Sequence, residues 1–364
     1  MLRNLFLFML LLHGAIHVLG FVKAFRLGAV AQLSKDISKP MGCLWLLATA
    51  LFFLVAIFML LKKEWWWIPG LVGGLLSQIL LFSSWGDARF GSIPNAVVLI
   101  VALLAGTAWW FEQDYRSDVK TLLLKNEAPS EELLTEKDLE HLPAPVQRYL
   151  RYVGVVNKPK VKNVHIVFKG QMREKGKDWF PFRSEQYNGF EQYARLFFMK
   201  GKMFGLTVPG YHAYQNGMAS MRIKVFGLFP VVNVKGQGLF RAETVTIFND
   251  MCLLAPATLI DSRISWEAID DTSARATFKT EGLSIQATLY FNAMSQLVNF
   301  VSDDRNGVSD LNKYRFSTPI SNYKSFHGFN VMSFGETIWH YPDGEFVYGK
   351  FELQELMYNV GSKY

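Results

Sequence analysis

MGCLWLLATALFFLVAIFMLL, Met41–Leu61, carries no charged residue along its whole length. A hydrocarbon core about 30 Å thick needs roughly 20 helical residues at about 1.5 Å each, and this run has that length. Three neighbours share its character: Asn4–Val22 before it, Trp65–Trp85 and Asn95–Phe111 after it. Together they predict four membrane-spanning helices in the first third of the chain. From about Gln113 onward the polarity is mixed, apolar runs shorten and alternate, and turn residues recur. The expected organisation is an all-α four-helix transmembrane unit over residues 1–113, a charged linker with a helical segment over 114–141, and a water-facing domain over 142–364.

The connectors support this division. Pro40 opens the second span, where its missing N–H costs nothing. Lys62, Lys63 and Glu64 make a polar turn, and Trp65–Trp67 and Trp109–Phe111 form aromatic belts at interface depth. Gly70, Gly73 and Gly74 in the third span let a neighbouring helix approach closely. The Ala29–Ala31 triplet resembles a cleavage site, but Lys23 and Arg26 stand between it and the apolar run, so the first span is expected to be retained. Four spans place both chain ends on one side. Arg3, Lys62, Lys63, Arg116, Lys120 and Lys125 lie there; Lys23, Arg26, Lys35, Lys39 and Arg89 lie opposite. The four cations of the first loop favour a cytoplasmic loop and an extracytoplasmic C-terminal domain, while those after the fourth span pull the other way.

The formal charge is +7, yet no block of five Lys or Arg occurs. That argues against a nucleic-acid patch and points the basic residues at anionic headgroups of a bilayer. The two cysteines, Cys43 and Cys252, belong to different parts of the chain, so no disulfide framework is expected.

In the second part, Leu142–Val153 has helical spacing through Val146, Tyr149, Leu150 and Val153. The period then changes to two, as in Asn163–Lys169 and Lys350–Gln354. Turn signals recur at Gly176, Asn188-Gly189, Asn216-Gly217, Asn306-Gly307 and Asp343-Gly344. The pattern predicts an antiparallel meander of about ten strands. Leu239–Leu259 breaks it and reads as a helix ended by Pro256. A mostly antiparallel β domain with one apolar helix midway implies an incomplete barrel, or strongly curved sheet, with that helix on its concave side. Phe197, Met199, Phe204, Phe226, Phe248, Met251 and Leu254 are the candidate lining of an adaptable apolar cavity. An ordinary core is the alternative.

Motifs for chemistry are sparse. There is no GxSxG elbow, P-loop, HExxH or dinucleotide fingerprint. Asp303–Gly307 reads as a hairpin turn rather than a calcium loop. His13 and His17, four apart on one helix face, are the candidate metal or haem ligands; the plainer reading has them hydrogen-bonded to Ser77 or Gln78 of a neighbouring span. Glu243 and Asp250, seven apart, would share one face of the predicted helix. They fit paired acid–base carboxylates, but a solvated helix face is the expectation.

The runs VQRYLRYVGVV (146–156), MKGKMFGLTVPGYHAYQNG (199–217), ETVTIFNDMCLLAPATLID (243–261) and YPDGEFVYGKFEL (341–353), with HGAIHVLGF (13–21), resemble an uncharacterised bacterial membrane family known as a domain of unknown function. The resemblance covers most of Leu142–Val360 and carries no assigned chemistry. The β-rich pattern with an inserted helix also resembles, more loosely, the LolA/LolB lipoprotein carriers, an incomplete barrel lidded by helices that holds acyl chains. The carriers have no four-span anchor. These likenesses imply a bacterial inner-membrane protein that binds a lipid or other apolar ligand. A membrane enzyme with metal or haem at His13 and His17, and a scaffold for an envelope protein partner, are the rival expectations. The sequence names no cofactor.

Overall fold

The computed structural model describes residues 2–125, 132–203, 206–307 and 312–361. The chain forms two compact units: Met1–Phe111 with Phe226–Leu228, and Glu112–Val225 with Phe229–Tyr364.

The first unit is built from α1 (Leu2–Ala24), α2 (Lys39–Leu60), α3 (Trp67–Ser83), the short α4 (Trp85–Ala88) and the start of α5 (Ser92–Lys125). Three stretches, Leu2–Ala24, Lys39–Leu60 and Trp85–Lys125, are long and apolar enough to cross a bilayer. The third expected span is shorter: α3 has 17 residues and reaches about 25 Å, because turns at Trp65–Trp66 and Ser84 trim both ends. Phe52 and Val55 of α2 pack with Leu10 of α1 and Val98 of α5 in one buried cluster, and Trp45 and Ala48 of α2 with Leu80 and Leu81 of α3 in another. Leu5, Phe8, Ile57, Leu75, Ile79 and Ile100 face outward and give the unit an apolar exterior. The α3 glycines allow the expected close approach: a Cβ on Gly74 would fall 2.8 Å from Leu99 Cδ2.

Helix α5 does not stop at Phe111. It runs unbroken to Lys125, 34 residues in all, or about 51 Å. No Gly or Pro interrupts Trp109–Lys125, and Glu112 and Arg116 pair at 2.9 Å one turn apart. Residues 114–125 are therefore helix, inside the stretch read as a charged linker with a helical segment.

The second unit holds one large sheet. In chain order its strands are β1 (Asn163–Met172), β2 (Phe180–Gly189), β3 (Ala194–Met203), β4 (Leu206–Gln215), β5 (Met218–Val225), β6 (Phe229–Lys235), β7 (Ile264–Asp270), β8 (Ser273–Thr280), β9 (Leu283–Phe291), β10 (Leu297–Asn306) and β11 (Lys313–Ser321). A small hairpin, β12 (Lys324–Phe326) and β13 (Phe329–Val331), precedes β14 (Phe334–Tyr341) and β15 (Gly344–Tyr358). The order across the sheet is β6-β5-β4-β3-β2-β1-β15-β14-β11-β10-β9-β8-β7, thirteen strands, paired antiparallel throughout. The sheet curls strongly enough to bring distant strands together. A Cβ on Gly217, in the β4–β5 turn, would lie 3.5 Å from the Glu281 carboxylate in the β8–β9 turn. Helix α7 (Gln237–Leu254) follows β6 and fills the concave side, packed on β4–β6 and on β9–β10. Helix α6 (Ala144–Val153) buries Val146, Tyr149, Leu150 and Val153, as its spacing predicts, and the Tyr149 hydroxyl donates to the Cys252 carbonyl at 2.8 Å.

More strands form than the alternating pattern announced, because β3, the end of β2 and the middle of β4 are buried on both faces. Outside them lies the last part of α5: Tyr115 stacks on Phe198 at 5.2 Å, Tyr211 donates to Asp118 at 2.6 Å, and Arg222 pairs with Asp114 at 2.8 Å. Strands buried on two faces lose the polar alternation. Asn216-Gly217 and Asp343-Gly344 fall at hairpin turns, but Asn188-Gly189 is inside β2, paired with β1 and β3.

Candidate functional site

The concave face of the sheet carries a buried charged cluster that the helical spacing of α7 only half announced. Glu243 and Asp250 do share one face of α7, but that face is not solvated: they are 5% and 8% exposed. The reason is Arg195, which projects from β3 into the same space. Its Nε donates to Asp250 Oδ2 at 2.8 Å, Nη1 to Glu243 Oε2 at 3.1 Å and Nη2 to Gln186 Oε1 at 3.1 Å. Gln186 and Asn188 of β2 donate to the same Asp250 oxygen at 2.7 and 3.0 Å. His212 of β4 brings Nδ1 to 3.5 Å from Glu243 Oε1. Burial alone would raise the Glu243 carboxyl. The Arg195 charge and the His212 contact outweigh it and hold the group at about 2.

Next to this cluster the concave face turns aromatic. By register Phe316 faces Trp339, and Trp339 faces Phe346. Arg305 of β10 lies with its guanidinium 4.2 Å from the Phe316 ring and 4.7 Å from the Trp339 ring. Its Nη1 donates to the Tyr348 hydroxyl at 2.9 Å, while its buried Nε has no hydrogen-bond partner among the described residues. Tyr341 and Tyr348 each lie 6.0 Å from Trp339 and stay partly exposed. The Arg305 charge is near enough to help hold the Glu243 carboxyl low, so the charged cluster and the aromatic group are electrostatically coupled. Such a surface offers ring contacts, cation–π geometry and one guanidinium edge with a donor to spare.

Five of the seven residues proposed to line an apolar cavity fall together. Phe197, Met199, Phe248, Met251 and Leu254 all join one buried core. Phe197 lies under the Arg195 guanidinium at 4.9 Å and against His212 at 5.6 Å, which places it beside the site. Phe248 stacks on Phe278 at 5.0 Å and meets Phe300 edge-on. Phe226 is not with them: it belongs to the β5–β6 turn grouped with the helical unit, and its carbonyl accepts from Thr107 Oγ1 at 2.9 Å. Phe204 lies outside the described residues. Sequence reasoning missed Arg195 and Arg305. The available signal was a lone charge inside the apolar run ARLFFM, 194–199, since a cation in a buried strand requires a buried partner.

In the helical unit, His13 and His17 are buried with ring centroids 4.7 Å apart. His13 Nε2 meets Asn95 Oδ1 at 2.8 Å, and Asn95 continues to Gln78 at 3.1 Å and on to Ser92 at 3.0 Å. His17 Nδ1 donates to the His13 carbonyl at 2.8 Å, and its Nε2 meets Ser77 Oγ at 2.7 Å. Among the described residues no group of three or more His, Cys, Asp or Glu side chains gathers as a metal ligand set. Cys43 is exposed and Cys252 buried, both free.

Residues 132–351 match the model of a family of unknown function, DUF6544. The chain belongs to this family. No curated protein sequence matches this DUF6544 member. Among solved structures it is similar to a putative outer membrane lipoprotein-sorting protein domain from Vibrio parahaemolyticus, at 7% identity and TM-score 0.36, over 60% of this chain and 92% of that one. A LolA-superfamily protein from Nitrosomonas europaea is similar at 10% identity and TM-score 0.35, over 58% and 93%. Scores at this level leave the DUF6544 half-barrel to be argued from its own strands.

Proposed function

We propose that this DUF6544 protein is a bacterial inner-membrane binding protein whose β domain, on the extracytoplasmic side, holds an acidic amphipathic ligand of the lipid class. The observation that carries this reading is Arg305. A guanidinium held over the packed rings of Phe316 and Trp339, with a buried Nε left over, is prepared for an acidic group. The partly exposed Tyr314, Tyr341, Phe346 and Tyr348 around it suit the apolar body of the same molecule, each buried CH₂ contributing about 0.8 kcal/mol. The apolar helices supply anchorage in the bilayer from which such a ligand comes.

The test uses the full chain in mild detergent. Native mass spectrometry with lipid extraction is expected to find one acidic lipid retained per chain, and Arg305→Gln to lose it while keeping the same elution volume. A folded wild-type chain that retains no lipid and takes up no acidic lipid on titration overturns the reading.

A further inference from the structure

A second site lies in the helical unit, apart from the concave face of the sheet. A pocket of about 330 Å³ opens beside the histidine pair, with walls from Ile16, Leu33, Trp45, Leu81 and Phe90. Polar groups enter it from His13, His17, Gln32 and Asp87. Its volume is at the lower end of the roughly 300–1,000 Å³ of small-molecule sites, too small for a whole phospholipid and suited to a single ring system.

The hydrogen bonds decide which group the pocket offers. Both nitrogens of His17 are engaged, one by the His13 carbonyl and one by Ser77. His13 uses only Nε2, fixed by the Asn95–Gln78–Ser92 chain. Its Nδ1 makes no hydrogen bond among the described residues. An imidazole locked in orientation, with one nitrogen unused, is a preorganised hydrogen-bonding post. The loop end of the pocket is tied shut: Asp87 Oδ2 accepts from both the backbone N–H and the hydroxyl of Ser34, at 2.7 and 2.8 Å. Ile16, by contrast, is 50% exposed on the outer face of α1. The way in is therefore from lipid, which selects a ligand that dissolves in lipid.

We infer that this pocket binds a lipid-soluble ring bearing hydrogen-bonding oxygens, the class of quinones and quinols, with an oxygen on His13 Nδ1 and the ring between Trp45 and the aliphatic wall. Nothing in this inference depends on the lipid reading of the β domain.

The experiment is a calorimetric titration of the full chain in detergent with decylubiquinone, followed in parallel by quenching of tryptophan fluorescence. Saturable binding of one molecule per chain is expected. His13→Leu should weaken it at least about tenfold, the loss of one well-made hydrogen bond. Ile16→Trp, which fills the pocket from the lipid side without touching the histidine network, should weaken it as much and guards against misfolding of the first variant. Absence of saturable heat, or binding undiminished in a correctly eluting Ile16→Trp chain, overturns the inference.

Discussion

Arg195 concentrates the energetics of the β domain in one side chain. It answers two carboxylates that share the interior of a curved sheet, and it is itself only 8% exposed. Removing one partner from such a group leaves uncompensated buried charge, which costs about 3–5 kcal/mol. Arg195→Leu is therefore expected to lower the thermal midpoint of the domain sharply, followed by circular dichroism; a midpoint within a degree or two of wild type would show that the cluster is not buried as described. The pH dependence has a definite sign. Glu243 has a folded value of about 2 against an ordinary 4.5, so its contribution is fully present above pH 4.5 and disappears as pH falls toward 2. Because other carboxylates titrate there too, the measurement is a difference: wild type minus Glu243→Gln should shrink across pH 4.5 to 2 and stay constant from 5 to 8. The sequence made the shared face of Glu243 and Asp250 readable from their spacing. It did not reveal that the face is buried, because the cation that permits burial comes from a strand 48 positions away from Glu243.

At the scale of elements, the helical spans and α7 were legible, since a charge-free run and a 3.6-residue period report directly on an apolar environment. Strand β3, the end of β2 and the middle of β4 were not, since α5 covers their outer face and erases the alternation. Tyr115 is the centre of that cover, 2% exposed and packed on Phe198 and Tyr211. Its hydroxyl is buried with no hydrogen-bond partner among the described residues. Truncation and deletion of the hydroxyl should therefore act in opposite directions. Tyr115→Ala should destabilise by about 3–5 kcal/mol, whereas Tyr115→Phe should be neutral or stabilising, having removed an unpaired polar group. Denaturant titration of the two variants separates them, and a destabilised Tyr115→Phe would reveal a missing partner for the hydroxyl. The β5–β6 turn makes a second test. Gly227 has φ +69°, and a Cβ there would approach Ala108 Cα to 2.4 Å. Gly227→Ala meets both strain and contact, so the turn should become a new site of proteolytic cleavage, while Gly86→Ala, with nothing within 4 Å of its Cβ position and no left-handed φ, should leave that turn uncut.

For the whole molecule, the proposed function makes a prediction about membrane topology. Whether α3 crosses decides the outcome, because its about 25 Å falls just short of an about 30 Å core. Ser34, in the loop after α1, bonds Asp87, just after α3. The two positions therefore share one end of the helical unit, which requires α2 and α3 to return the chain to where α1 left it. With α5 as a fourth crossing, the proposed topology puts the first loop and the residues that follow α5 on opposite sides. On that proposal the four cations of the first loop, Lys23, Arg26, Lys35 and Lys39, predict a cytoplasmic loop and an extracytoplasmic β domain, against the pull of Arg116, Lys120 and Lys125. Cysteines introduced one at a time at Lys35 and Glu267, both exposed, in a Cys43→Ser background whose remaining Cys252 is buried, report this directly. A membrane-impermeant maleimide on intact spheroplasts is expected to label Glu267→Cys at once and Lys35→Cys only after permeabilisation. The reverse pattern would keep the four crossings and invert the protein, removing the extracytoplasmic part of the proposed function. Both positions labelled together would mean that α3 does not cross, and the Ser34–Asp87 tie would then have to be absent in the membrane.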